Sequence, residues 1–233
     1  MSELTFARAG AKVKPKEERV LSDAAWSILV LCVQELGLVL MQICKRLELH
    51  PATMKAAVDE LIGKGFAKLH YLPRVGRGAR FRVLEILPAA DAEITKANLK
   101  RPALRLKGSW LHDLYGHFVR RWATQQEAKY LEFEKQVGSK VFDLHWTSRE
   151  DQNCAGEIIC SGGPLQNAQA LLTGLENRGI SKLYAFFHDG KLLKATVDRL
   201  QETDADGLAE NRLECRPMGE VIMSVIDSSK GDG

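Results

Sequence analysis

Four arginines, Arg74, Arg77, Arg80 and Arg82, fall within nine residues that contain no acid, with Gly76 and Gly78 between them. Guanidinium groups at that density suit one chemistry, neutralising the phosphates of a polyanion. The two glycines leave the backbone free to approach a duplex or to enter its minor groove. Four phosphate-facing arginines correspond to a log–log salt slope of about −3 to −4. The charge distribution agrees: residues 1–107 carry 19 Lys+Arg against 11 Asp+Glu, whereas residues 108–233 carry 14 against 19. A basic half joined to an acidic half points to a polyanion met by the first half alone.

Other chemistries find less support. The five cysteines (Cys32, Cys44, Cys154, Cys160, Cys215) include no C-x-x-C pair, so neither a disulfide framework nor a zinc site is indicated. The sequence has no GxGxxG, Walker, GxSxG or HExxH motif. Ser161-Gly162-Gly163-Pro164 precedes a helical pattern and offers a weak anion-binding turn. The longest apolar run, Trp26 to Val33, is broken by Ser27, far short of the ~18 residues of a membrane span. The basic first residues, 1–19, lack the apolar core of a signal peptide and read as a flexible tail. A cytoplasmic protein with no membrane partner is expected.

These groups need elements to hold them. Ser22 caps a helix with Trp26, Leu29, Val30, Val33 and Leu36 on one face, stopped by Gly37. A short helix follows over 39–47, then a turn, then a helix opened by Pro51 and closed by Gly63-Lys64-Gly65. Strands over 66–72 and 80–87 flank the arginine-rich turn as a hairpin. A helix over 91–99 precedes a boundary at Lys100-Arg101-Pro102. The second half reads as a helix over 109–125, strands over 130–137, 140–147 and 155–160, a helix over 164–177, a strand over 182–187, a helix over 191–200 and a last strand over 212–216. Residues 228–233 read as a frayed tail. The fold class expected is α+β: an N-terminal unit over 20–100, and over 108–227 an α/β sandwich with a mixed sheet.

Residues 41–83, with Leu61-Ile62-Gly63-Lys64-Gly65-Phe66 ending the third helix before the hairpin, resemble the winged helix-turn-helix family of DNA-binding regulators. The resemblance implies that the third helix enters the major groove by its first residues. His50 and Thr53 would then face phosphates or base edges, Lys55 and Lys64 phosphate, and Arg74, Arg77, Arg80 and Arg82 would form the wing. His50 reads more readily as a substitute helix cap than as a base reader. Ala52 and Ala56 make a small-sided face suited to reading shape and backbone, and Asp59 and Glu60 limit how deeply the helix lies.

Residues 108–200 resemble the restriction-endonuclease-like PD-(D/E)XK superfamily, whose pattern is a helix, three strands that begin antiparallel, a helix and a strand. Asp143, in Val141-Phe142-Asp143, and Glu157, in Ala155-Gly156-Glu157, stand where that family holds its two metal-binding carboxylates. The family's lysine belongs two residues after the second acid, and Ile159 stands there. Glu132 and Glu134 offer further carboxylates and Gln166 lies on the next helix, but no lysine within reach is evident. The implication is a catalytically inert domain used for dimerisation or partner docking, with Mg²⁺ as cofactor only if Asp143 and Glu157 remain catalytic. The winged helix, the Leu111-His112-x-Leu114 helix and the degenerate domain together resemble replication-relaxation-type proteins of plasmids and other mobile elements. In that reading His112 matters, against the plainer reading of an exposed helix-surface histidine, and His145 could share the face of Asp143, against that of a satisfied structural histidine.

The function expected is that of a double-stranded DNA-binding accessory protein or transcription regulator. The alternatives are a metal-dependent DNA endonuclease and a ligand-sensing regulator with a pocket around Ser161-Gly162-Gly163.

Overall fold

The computed structural model describes residues 20–73, 80–100, 106, 108–204, 209 and 211–228. The chain is α+β, with a two-stranded antiparallel sheet in its first part and a five-stranded mixed sheet in its second. The tail 1–19, Arg74, Gly76, Arg77 and Gly78 of the arginine-rich turn, Arg101-Pro102 of the expected boundary, and residues 229–233 lie outside the described residues.

The first part packs α1 (Asp23–Gln34), α2 (Leu40–Arg46) and α3 (Pro51–Gly63) around Ile28, Leu29, Ile43 and Leu61, none of them exposed. Ser22 caps α1, its Oγ accepting from the Ala25 N–H at 3.3 Å. The same Ser22 donates its N–H and Oγ–H to the Glu60 carboxylate of α3, at 3.0 and 2.6 Å, which locks the two helices together. Gly65, at φ +69°, ends the third helix in the left-handed region and turns the chain into β1 (Ala67–Tyr71). β1 pairs with β2 (Arg82–Ile86) in the register Ala67↔Ile86 to Tyr71↔Arg82, and Val39, just before α2, bridges Val83 as a third edge. A one-turn 3₁₀ segment (Pro88–Ala90) and α4 (Asp91–Lys96) close this part.

In the second part α5 (Trp110–Gln125) leads into β3 (Lys129–Val137), β4 (Lys140–Thr147), β5 (Asn153–Ile159), α6 (Pro164–Leu175), β6 (Lys182–Phe187), α7 (Gly190–Thr203), β7 (Leu213–Pro217) and α8 (Met218–Ser228). Strand order follows chain order. β3, β4 and β5 pair antiparallel, and β5, β6 and β7 pair parallel, so β4 alone runs against the rest. The parallel pairs need crossovers, which α6 and α7 supply. One face of the sheet (Leu144, Trp146, Ile158, Phe186) packs under α5 and α8, and the other (Ala155, Ala185, Phe187) under α6 and α7.

Most elements lie within a few residues of where the sequence puts them. Helix α8 is the addition: Met218, Val221, Ile222, Val225 and Ile226 recur at helical spacing and are buried against α5. The first part is also not a free-standing unit. Val39, Leu72 and Val83 belong to the same core as Leu114, Tyr115 and Phe118 of α5, so the hairpin is sandwiched, with α1 and α3 on one side and α5 on the other.

Candidate functional site

The β4–β5 ladder is regular from Thr147↔Asn153 to Leu144↔Gly156. One step further the strands splay. The Ile158 N–H there donates to Asp143 Oδ2 at 2.7 Å, so a side-chain carboxylate takes the place of a backbone acceptor. The irregularity shows in the packing. Phe142 is buried with Ala168, Leu171 and Leu175 of α6, whereas Leu144, two residues on, is buried under α5. A regular strand would put both on one face. Opposite the break, Glu134 on β3 adopts φ +47°, the left-handed region, in keeping with a local kink of the sheet.

Four ionisable groups gather at this break. Asp143 Oδ2 also meets His112 Nε2, from the first turn of α5, at 3.2 Å. Glu157, the next residue of β5 after Gly156, meets the Lys140 ammonium at 3.0 Å. Lys140 stands at the start of β4, donates to the Ala170 carbonyl of α6 at 2.9 Å and lies over the Phe142 ring at 5.1 Å. The β3–β4 turn that carries it is tied to the end of α6 by Asn177, whose amide donates to the Val137 carbonyl. His112 is set by the Ser109 cap, whose Oγ accepts from the His112 N–H, and by Gly108 at φ +140°, where a Cβ would come within 3.1 Å of the imidazole Nδ1. Burial pushes the Glu157 carboxyl up, to about 7; Lys140 opposes that shift and the neighbouring Asp143 charge adds to it.

His112, Lys140 and Glu157 line an open cleft of about 460 Å³, with Gly108, Ser109, Cys160, Ser161 and Asn167 around its rim; Asp143 is outside that lining and joins it through its bonds to His112 and the Ile158 N–H. Burial raises the Cys160 thiol to about 11, so it sits here as a neutral group. The expectation that no lysine reaches the carboxylates is therefore corrected. Ile159 does occupy the position two after Glu157 and lines the cleft, but Lys140 of the neighbouring strand supplies the ammonium. Alternation along a regular strand hides this residue, because Lys140 lies three positions before Asp143 and only the break in β4 brings the two to one site. The other residues considered for this site do not line the cleft: Glu132 pairs with Lys135, Gln166 points elsewhere on α6, and His145 faces Glu132 and Ala155 in its strands. Burial lowers the His145 pKa, and the Glu132 charge opposes the shift.

The cleft fits a hard divalent cation of the Mg²⁺ type. Glu157 in an open, partly desolvated pocket, with Asp143 reached through His112 of the same lining, suits an ion held by one or two protein carboxylates, with water and a phosphate completing its shell. An all-protein cage is not what the residues form, since no three His, Cys, Asp or Glu side chains converge on one point among the described residues.

The residues expected to contact nucleic acid fall into smaller groups. His50 is the cap of α3, its Nδ1 accepting from the Ala52 N–H at 3.3 Å, so that nitrogen is committed to the backbone. Thr53 is exposed on the first turn of α3. Lys55 is exposed one turn on but ion-paired with Asp59 at 2.8 Å, a contact weak enough for a phosphate to displace. Arg82 reaches the groove between α2, α3 and β1, where it joins Lys45 and Lys55. Arg80 is exposed at the mouth of the hairpin. Lys64 lies at the far end of α3, its backbone closing the helix on Glu60. Among the described residues no helix is long and apolar enough to cross a membrane. Comparison with protein-family models, curated proteins and solved structures finds no match for this chain.

Proposed function

We propose that the chain is a cytoplasmic, winged-helix-type DNA-binding protein whose second part carries a divalent-metal site for phosphodiester hydrolysis, of the restriction-endonuclease-like kind. The observation that carries this reading is the Lys140 ammonium at 3.0 Å from Glu157, beside Asp143. A carboxylate and a lysine in one cleft, with a second carboxylate bonded to its His112, are groups such chemistry uses, and the missing lysine is the main argument against it in the sequence. The order of elements and the lone antiparallel strand β4 agree with the same reading. In the first part, the three helices, the hairpin and the bridge at Val39 follow the winged-helix order.

A bound divalent cation would polarise a phosphodiester and activate water. Asp143 and Glu157 are the residues that would hold it. Lys140, freed from Glu157, would stabilise negative charge developing on the phosphate. His112 orients Asp143, and the Ser109 cap holds His112 in place. The first part would supply affinity through Thr53, Lys55, Lys64, Arg80, Arg82 and the turn containing Arg74 and Arg77.

A second reading has its own support. His112 and Lys140 already serve as hydrogen-bond and ion-pair partners of the two carboxylates, so neither acid lacks a partner without a metal. In that case the domain is inert and serves dimerisation or partner docking in an accessory or regulatory DNA-binding protein.

The two part in one experiment: duplex binding by fluorescence anisotropy across a salt series with Mg²⁺ or Mn²⁺, with the DNA then resolved on a gel. Steeply salt-dependent binding and cut DNA are expected, with cutting lost in Asp143→Asn and Lys140→Met while binding persists. Binding without cutting in either metal would leave the inert reading. Cutting that survives Asp143→Asn would mean a contaminating nuclease.

A further inference from the structure

Helix α5 carries Leu114 and Phe118 against the turn between α1 and α2, where a Cβ on Gly37 would lie 3.5 Å from Leu114 and 3.9 Å from Phe118. Arg121, three residues after Phe118, falls on the same face of α5 by helical spacing. Its guanidinium is half-buried and makes no hydrogen bond or ion pair with any described residue, and its Nη1 is shut off from solvent. The charges that act on it are Arg46, in the last turn of α2, and Glu35, at the end of α1. Glu35 is already ion-paired with Arg46. Two guanidiniums and one carboxylate thus share the seam where the turn at Gly37 meets α5.

A guanidinium has five donors and no acceptor, and leaving it desolvated and unpaired is costly. Such a group in a folded protein calls for a partner. The partner that suits a guanidinium in this setting is an anion with several acceptor oxygens, held by forked donors from two directions.

We infer that Arg121 and Arg46 form a phosphate-binding site at the seam of α2 and α5. The phosphate is one of the DNA backbone, because Arg46 stands four residues before His50, the cap of α3, on the edge of the helix-turn-helix. That ownership rests on the DNA-binding reading; the phosphate chemistry does not. The site would extend the footprint of the first part across α5, toward the half of the chain that is otherwise acidic.

The test compares wild type with Arg121→Gln, Arg121→Lys and Glu35→Gln. Duplex binding is measured across a salt series, and melting temperature with inorganic phosphate against chloride at matched ionic strength. Arg121→Gln is expected to flatten the log–log salt slope by about 1. In phosphate-free buffer it should melt no lower than wild type, since it loses only an unpaired buried charge. Glu35→Gln should tighten binding, as it removes the competing carboxylate. Arg121→Lys should keep the slope, because the charge remains, and so covers the case in which the glutamine variant fails to fold. An unchanged slope with phosphate-dependent stabilisation that Arg121→Gln removes supports the site with free phosphate as its ligand. An unchanged slope and no stabilisation of wild type by phosphate overturns the inference. If wild type binds no duplex at all, the DNA-binding reading falls and the inorganic-phosphate arm alone decides.

Discussion

At the scale of single residues, the cleft turns on how a half-buried carboxylate is balanced. Glu157 is desolvated and has Asp143 beside it, and Lys140 is the one group that pulls the other way strongly. The carboxyl is raised from its ordinary 4.5 to about 7, so between those values the folded chain holds a proton that the unfolded chain has released. Stability from this group is therefore fully present below about pH 4.5 and falls as pH rises through 7. Chemical denaturation of wild type between pH 5 and pH 8 should show this loss, and Glu157→Gln should flatten it by on the order of 1–2 kcal/mol. Equal pH profiles for the two proteins would mean that Lys140 fully compensates the burial.

At the scale of elements, α5 carries His112 to the strand-borne acids and Arg121 to the seam, and its middle is a glycine for a steric reason. A Cβ at Gly116 would sit 2.6 Å from Leu106 and 3.1 Å from Phe133, both inside the core. Helix propensity alone favours alanine there by about 1 kcal/mol. The clash should outweigh it, so Gly116→Ala is expected to destabilise by roughly 1–2 kcal/mol in urea denaturation; a stabilised variant would show that Leu106 swings aside freely. The elements themselves were largely legible. Ser22, Pro51, Gly65 and Pro164 mark helix ends by chemistry that acts locally, and alternation marked the strands. Helix α8 escaped because it starts directly from β7 at Pro217–Met218, with no polar turn between. Asp143 and Glu157 were legible through a pattern; Lys140 was not, because its place depends on the splay between β4 and β5, set by the register of three strands and by the kink at Glu134. Arg121 was invisible for a related reason: an arginine on a helix face reads as solvated, and only the fold shows that its Nη1 is shut off from solvent.

At the scale of the whole molecule, the hairpin joins the two parts. Its faces alternate: Ala67, Leu84 and Ile86 pack on α1 and α3, while Leu72 and Val83 enter the core of α5. His70 of β1, bonded to Glu85 at 2.7 Å, stacks on Trp110 with ring centroids 4.9 Å apart. Two residues after Trp110, His112 reaches Asp143. Thus one turn of α5 touches the expected DNA-binding part on one side and the cleft on the other. Cutting residues 20–100 free would expose Val39, Leu72 and Val83, each at 1% exposure in the whole chain. Cooperative unfolding follows from that shared core. The chain should melt in a single calorimetric transition, and Leu72→Ala, though it lies at the end of the hairpin, should cost about 2–5 kcal/mol and lower that one transition by on the order of 5–15 °C. Two transitions, only the first of them moved by Leu72→Ala, would instead describe parts that fold separately, and the cleft would then have no fixed position relative to the hairpin.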